Sequence, residues 1–299
     1  MGREIVKGDV LQVEALLTKV LGSCVYQELT RMGGLTNHTY KVTMAGGEEY
    51  VVRIPGLGTE SLINRKDEMV STKLACDLGV DAELLYFDES GAKVTRYIKD
   101  AITMSAEALF EPKHIEQVAG IFKTMHRCGV DTKVPFEVFE MAEGYETIIR
   151  EHQVAMFEDY AQMKAVVMGI KAEVDGMVPI TKVPCHNDPL CENWVEGNGR
   201  MYLIDWEYAG MNDGMWDLAD VSIEAGYGKE QDRFLLQAYL GHEPKAAEEK
   251  HFLANKIYVD YLWTLWAKAR VPYDGQPMED WAQERYGRLK ENIKAYQEI

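Results

Sequence analysis

The sequence predicts an α+β chain, with a β-rich first third and a mainly helical remainder. Two observations carry this. Residues 25–56 alternate polar and apolar side chains around Gly33-Gly34 and Gly46-Gly47, the pattern of three strands joined by two glycine-containing turns. From about Lys113 onward the apolar residues recur mostly at helical spacing. The change of texture falls near Ile98–Asp100, so the expected division is a first lobe over 1–98 and a second over 99–299.

The elements follow in order. Leu and Val at helical spacing over 11–21 predict a first helix. The three strands come next and Pro55-Gly56 closes them. Residues 61–79 read as a helix stopped by Gly79, and ELLYFD and KVTRYI read as two short strands joined at Glu89-Ser90-Gly91. One strand–loop–strand unit interrupts the helical remainder, VPCHNDPLCENWVEGNGRMYLIDWEYAG over 183–210, with a hairpin at Gly197-Asn198-Gly199.

Composition narrows the function. The 299 residues are 46% hydrophobic and carry a net charge of −17. That charge argues against a nucleic-acid partner, whose phosphates need Lys and Arg; it mildly favours a cationic substrate, while most of it reads as a solvated acidic surface that aids solubility. Five scattered Cys without a CxxC pair suggest a reducing cytoplasm rather than a disulfide framework. The start of the chain lacks a signal-peptide core, and no apolar run reaches the ~18 residues of a membrane span. Residues 257–267 come nearest, and Asp260 interrupts them. The expectation is a cytoplasmic protein without a transmembrane segment.

The chemistry concentrates in 183–210. His186-x-Asp188-x-x-x-x-Asn193 precedes the hairpin, and Asp205 is expected on its return strand. A carboxylate to take or orient a hydroxyl proton, followed by an amide and a second carboxylate to share Mg²⁺, is the set that phosphoryl transfer requires. The kinase catalytic loop has the same Asp-to-Asn offset. The competing reading is turn-capping Asp and Asn. His186 is read as a brace for the loop rather than a base.

Upstream, Gly33, Gly34, Thr36 and Asn37 join two strands and could lay backbone N–H groups over phosphates. Arg53 stands on the next strand, where protein kinases carry the Lys that holds the α- and β-phosphates, and it stays charged whatever its surroundings. Glu68 is its natural partner, with Glu60 and Asp67 as competitors. Tyr97 and Ile98, at the lobe boundary, complete the expected nucleotide set.

In the order GGLTN, VVRIPG, HNDPLCEN and LIDWEYAG, the chain resembles the choline/ethanolamine kinases, and among them the LicA-type bacterial choline kinases, over about residues 25–290. Trp206 replaces the commoner Phe. The resemblance implies a two-lobed, protein-kinase-like fold and ATP-dependent phosphorylation of the hydroxyl of choline. By position it makes Asp188 the catalytic base, and Asn193 and Asp205 the Mg²⁺ ligands. Glu207 and Tyr208 fit the family motif and are placed with the substrate. The resemblance also turns an aromatic stripe into a cation cage: Trp263, Trp266, Trp281 and Tyr227, with Asp217 and Glu224 as the nearby charges. Rings hold a quaternary ammonium that has no N–H to give. Without the resemblance, a Trp stripe on a helix reads as core packing. Ethanolamine, another small amino alcohol or an aminoglycoside remains an alternative substrate. A kinase-fold binding module is the non-enzymatic alternative, and it predicts loss of Asp188, Asn193 or Asp205, all of which are present.

Overall fold

A computed structural model describes residues 5–32, 37–56, 64–177 and 179–299. By contacts the chain forms two compact units: Met1–Met104 with Glu192–Ala209, and Ser105–Cys191 with Gly210–Ile299. The cut expected between residues 98 and 99 concerned linear lobes. Grouping by contact is a different division, because a late hairpin joins the first unit.

The first unit is built on a five-stranded antiparallel sheet of β1 (Tyr26–Arg31), β2 (Asn37–Met44), β3 (Glu49–Pro55), β4 (Leu84–Phe87) and β5 (Lys93–Arg96), in the order β1-β2-β3-β5-β4. Alternation decides which face is buried. Tyr40, Val42 and Met44 of β2 and Tyr50, Val52 and Ile54 of β3 point one way and pack with Val94. Val13 and Leu17, four apart on α1 (Lys7–Leu21), close over that face. Each fully buried aliphatic side chain contributes roughly 1.5–3 kcal/mol. The helix ends at Gly22, whose positive φ of 76° lets its N–H reach the Thr18 carbonyl.

Helix α2 (Arg65–Asp77) starts at Asn64, whose side chain accepts the N–H groups of Lys66 and Asp67. It occupies the expected helix 61–79, of which residues 61–63 lie outside the described residues. A second, three-stranded sheet joins β6 (Ile102–Thr103) to β8 (Trp194–Gly197) and β9 (Arg200–Leu203). The turn between β8 and β9 uses Asn198 and Gly199, both at positive φ, as a tight hairpin demands. Asp205 was expected on the return strand. It lies two residues past the end of β9, at a φ of 69°, because the strand has already released the chain.

The second unit holds α3 (Ala106–Leu109), α4 (Pro112–His126), α5 (Val138–Glu151), α6 (Tyr160–Met177), α7 (Gly214–Ala225), α8 (Lys229–Leu240), α9 (Ala246–Asp274) and α10 (Gln276–Gln297). A short antiparallel pair, β7 (Lys182–Cys185) with β10 (Gly210–Asp213), lies among them. Helix α9 is central, packing against α5, α6, α7 and α10. The Asp260 that interrupts its apolar run is fully buried and accepts three hydrogen bonds from Arg288 and one from Asn292 on α10. No helix among the described residues is long and apolar enough to cross a membrane.

Candidate phosphate and cation sites

In the first unit, β3 and α2 bring Arg53 and Glu68 together. The guanidinium Nη1 donates to Glu68 Oε1 at 2.5 Å, while Nε and Nη2 donate to the Gly91 carbonyl at 3.1 and 3.0 Å. Gly91 sits at a φ of 95°, and a Cβ there would come within 2.7 Å of the Arg65 side chain, so glycine is required. Burial opposes the charge on Arg53, but Glu68 more than offsets it and raises the pKa. Glu68 mirrors this: burial pushes its carboxyl up, and Arg53 brings it below its ordinary value.

Arg65, which the sequence reading missed, also serves Glu68. Its Nη1 donates to Glu68 Oε2 at 2.7 Å and its Nη2 to Asn37 Oδ1 at 3.1 Å. The three-residue helical spacing of Arg65 and Glu68 was the available signal. Asn37 is therefore held by Arg65. Gly33, Gly34 and Thr36 of the same expected loop lie outside the described residues.

A cavity of about 230 Å³ opens beside this network. Its walls include Val51, Thr95, Tyr97, Ile98, Val195 and Ile204, and Arg53, Lys93 and Asp205 contribute charge. Apolar walls with a few charged groups suit a flat base attached to phosphates. The expected nucleotide residues Asn37, Arg53, Tyr97 and Ile98 thus share one cavity. Asp81 also lines it, and burial, opposed by Lys93, raises its carboxyl to about 6. Nothing in the sequence around Asp81 marked it.

Asp205 lies 3.9 Å from Arg53 with its side chain 42% exposed. Glu207, expected with the substrate, has Asp205, Glu68, Arg53 and Arg65 as its charged neighbours. Burial first, then repulsion from Asp205 and Glu68, pushes its carboxyl up to about 8. Its Oε2 is buried and accepts no hydrogen bond. An accessible carboxylate and an unsatisfied carboxylate oxygen are hard donors of the kind Mg²⁺ takes, so the residues present fit that ion. Asn193 closes the 3-10 turn Cys191–Asn193 and accepts the Ile204 N–H on its carbonyl. Tyr208 is half-buried in the same unit.

In the second unit, the loop after β7 is held by α7. Asp217 Oδ2 accepts the His186 N–H and Oδ1 the Asn187 N–H, both at 2.8 Å, and Oδ2 also meets His126 Nε2 at 3.0 Å. The Asn187 carbonyl accepts the Trp216 indole N–H, and its side chain accepts from Asn212. These contacts hold Asn187 at a φ of 67°. His186 is buried and its Nδ1 accepts the Asp188 N–H at 3.3 Å, the bracing role read from the sequence. Asp188 is left half-buried at the loop's bend.

Two expected substrate residues have structural partners in this unit. Both oxygens of Asp217 are committed to the loop backbone and His126. The Tyr227 hydroxyl donates to the Leu109 carbonyl at 2.7 Å, and its ring packs edge-on against Phe110, which makes it core. The three Trp do associate: Trp263 and Trp266 meet at 6.2 Å and 89°, Trp266 and Trp281 at 5.7 Å and 77°. Trp263 is only 4% exposed and belongs to the core, whereas Trp266 and Trp281 are half-buried. The Arg285 guanidinium covers the Trp281 ring at 4.0 Å and is paired with Glu224.

A family model described as choline/ethanolamine kinase matches residues 29–281. The protein LicA of Haemophilus influenzae is 30% identical over 261 residues, covering 85% of this chain and 76% of its own. A solved choline kinase LicA from Streptococcus pneumoniae is 29% identical, with a TM-score of 0.81 over 97% of this chain and 100% of that one. A solved choline/ethanolamine kinase family protein from Mesorhizobium loti is 33% identical, with a TM-score of 0.83 over 94% of each chain. The α+β, protein-kinase-like fold expected from the sequence is the fold found.

Proposed function

Because this chain belongs to the choline/ethanolamine kinase family, we propose that it transfers the γ-phosphoryl group of ATP to the hydroxyl of a small amino alcohol, choline first among them. The observation that supports choline is the cation already resting on Trp281. A ring face backed by the Glu224 carboxylate accepts the flat, weakly hydrated guanidinium of Arg285. A trimethylammonium group asks for the same surroundings, since it too is held by ring faces and nearby negative charge.

Arg53, kept in place by Glu68 and Gly91, neutralises the phosphates. The apolar walls around Tyr97 and Ile98 take the base. Asn193 and Asp205, with the Glu207 carboxylate, would hold Mg²⁺, which supplies charge neutralisation on the β- and γ-phosphates when bound. Asp188 orients the substrate hydroxyl and accepts its proton as the oxygen attacks phosphorus. The brace of Asp217 and His186 fixes the loop that carries Asp188, and such positioning supplies much of the rate in phosphoryl transfer. ATP supply and five Cys outside any disulfide accord with a cytoplasmic enzyme.

The test is Asp188→Asn with choline and ethanolamine as acceptors. Loss of a general base lowers kcat by roughly 10²–10⁴-fold while ATP binding persists. A variant within a few-fold of the parent removes Asp188 from this role, and a parent that phosphorylates neither acceptor removes the proposed reaction.

A further inference from the structure

Helix α7 presents three carboxyl groups along one face, Asp217, Asp220 and Glu224, spaced three and four residues apart. Two have partners. Asp217 holds the loop backbone, and Glu224 holds Arg285. Asp220, between them, has none: it is 1% exposed, and neither carboxyl oxygen makes a hydrogen bond. An unsatisfied buried carboxyl is costly, so its presence asks for a reason. Arg285 supplies the counterpart. It is 3% exposed, and its Nε and Nη1 make no hydrogen bond either, although Nη1 lies 3.8 Å from Asp260. Asp220 also interacts electrostatically with Glu224, Asp188, Arg285 and Asp217. It therefore stands among the catalytic carboxylate, the Glu224–Arg285 pair and, through Arg285, the face of Trp281.

We propose that Asp220 is a specificity-determining residue that exchanges a proton for the substrate's cation, its carboxyl being neutral in the free protein and ionising as the ammonium group enters. This rests on the amino-alcohol reading above. Burial, reinforced by Glu224 and Asp188 and opposed by Arg285, holds the carboxyl well above the ordinary carboxylate range. The remaining charges around α7 are committed elsewhere. His126 on α4 faces Asp217, Lys256 on α9 faces Ser222 and Asp232, and Asp260 on α9 faces Arg288. An incoming cation supplies the positive charge that an ionised Asp220 lacks, and the displaced proton passes to solvent, so the charge balance of the pocket is unchanged. A neutral molecule of the same shape cannot drive the exchange, and this separates cationic alcohols from uncharged ones.

The experiment is calorimetric titration of the full chain with choline, ethanolamine and 3,3-dimethylbutanol, the uncharged isostere of choline, in phosphate and in Tris. Different buffer ionisation heats convert released protons into a measured difference. The expected release is about one proton per choline for the parent wherever the free carboxyl is still protonated, with choline affinity rising with pH over that range. Asp220→Asn is expected to release none, and its choline affinity to be flat with pH. The isostere is expected to release none even from the parent, a readout that holds if the variant fails to fold. Binding of choline or ethanolamine without proton release overturns the inference alone, as does undiminished release from Asp220→Asn. If neither cation binds, the amino-alcohol reading and this inference fall together.

Discussion

Asp217 on α7 accepts the main-chain N–H of Asn187 at 2.8 Å, and so fixes the residue beside Asp188 in a left-handed conformation. Asp217→Asn keeps the shape but offers one amide oxygen where two carboxylate oxygens served three donors. Each hydrogen bond to a charged group is worth roughly 1.5–3 kcal/mol. Both kcat and the urea midpoint are expected to fall, with ATP affinity within a few-fold of the parent. An unchanged kcat would show that the loop holds its shape without this brace.

Arg53→Lys is expected to raise the KM for ATP about tenfold or more, because an ammonium cannot serve Glu68 and the Gly91 carbonyl in the planar arrangement that Arg53 uses. Steady-state kinetics at saturating choline read this directly. A KM within twofold would mean that charge alone suffices at this position.

Glu207 sets a pH dependence in the nucleotide-free protein. Its carboxyl is raised to about 8 when folded, so the folded state binds the proton more tightly than the unfolded chain does. The contribution is fully present below the unfolded value and is lost as pH rises toward about 8. Glu207→Gln cannot titrate. Its melting temperature relative to the parent should rise between about pH 5 and 8, by the equivalent of about 2–4 kcal/mol. Parallel melting curves at all pH values would exclude Glu207 as the source.

The three Trp should divide by exposure. Trp263→Ala opens a core cavity and is expected to cost about 3–5 kcal/mol of stability. Trp266→Ala and Trp281→Ala should instead weaken choline, about five- to thirty-fold for each ring face removed from the cation, with melting temperatures near the parent. Choline KM and melting temperature on the same variants make the distinction. Unchanged KM at both Trp266 and Trp281 would remove the rings from recognition.

Local pattern exposed much of this molecule in advance. Alternation located β1 to β3, and Gly197-Asn198-Gly199 located the β8–β9 turn, because both signals lie within a few residues. The position of Arg53 on the strand where kinases carry Lys, and of Glu68 in the helix that follows, marked two residues that do pair. What escaped depends on packing. Asp217 and Asp220 are three residues apart on one helix, and only their neighbours show that one is a brace and the other an orphan. Trp263 and Trp266 are likewise alike in sequence and differ only in what covers them. Glu207 follows Asp205 by two residues, yet its place among Arg53, Arg65 and Glu68 needed the tertiary fold.

The hairpin Glu192–Ala209 belongs to the same unit as Met1–Met104, so this unit is discontinuous in the chain. On a ribosome its first part emerges long before its last. At roughly 5–20 residues per second, the intervening Ser105–Cys191, 87 residues, takes some 4–17 s to synthesise. Until then β6 has no partner strand, and the apolar residues that meet Val195 and Tyr202, Ile98 and Ala82 among them, remain uncovered. The nascent chain must therefore wait, with part of its first unit incomplete and open to chaperones. A truncation that stops before residue 192 should be captured by them rather than released as a soluble fragment.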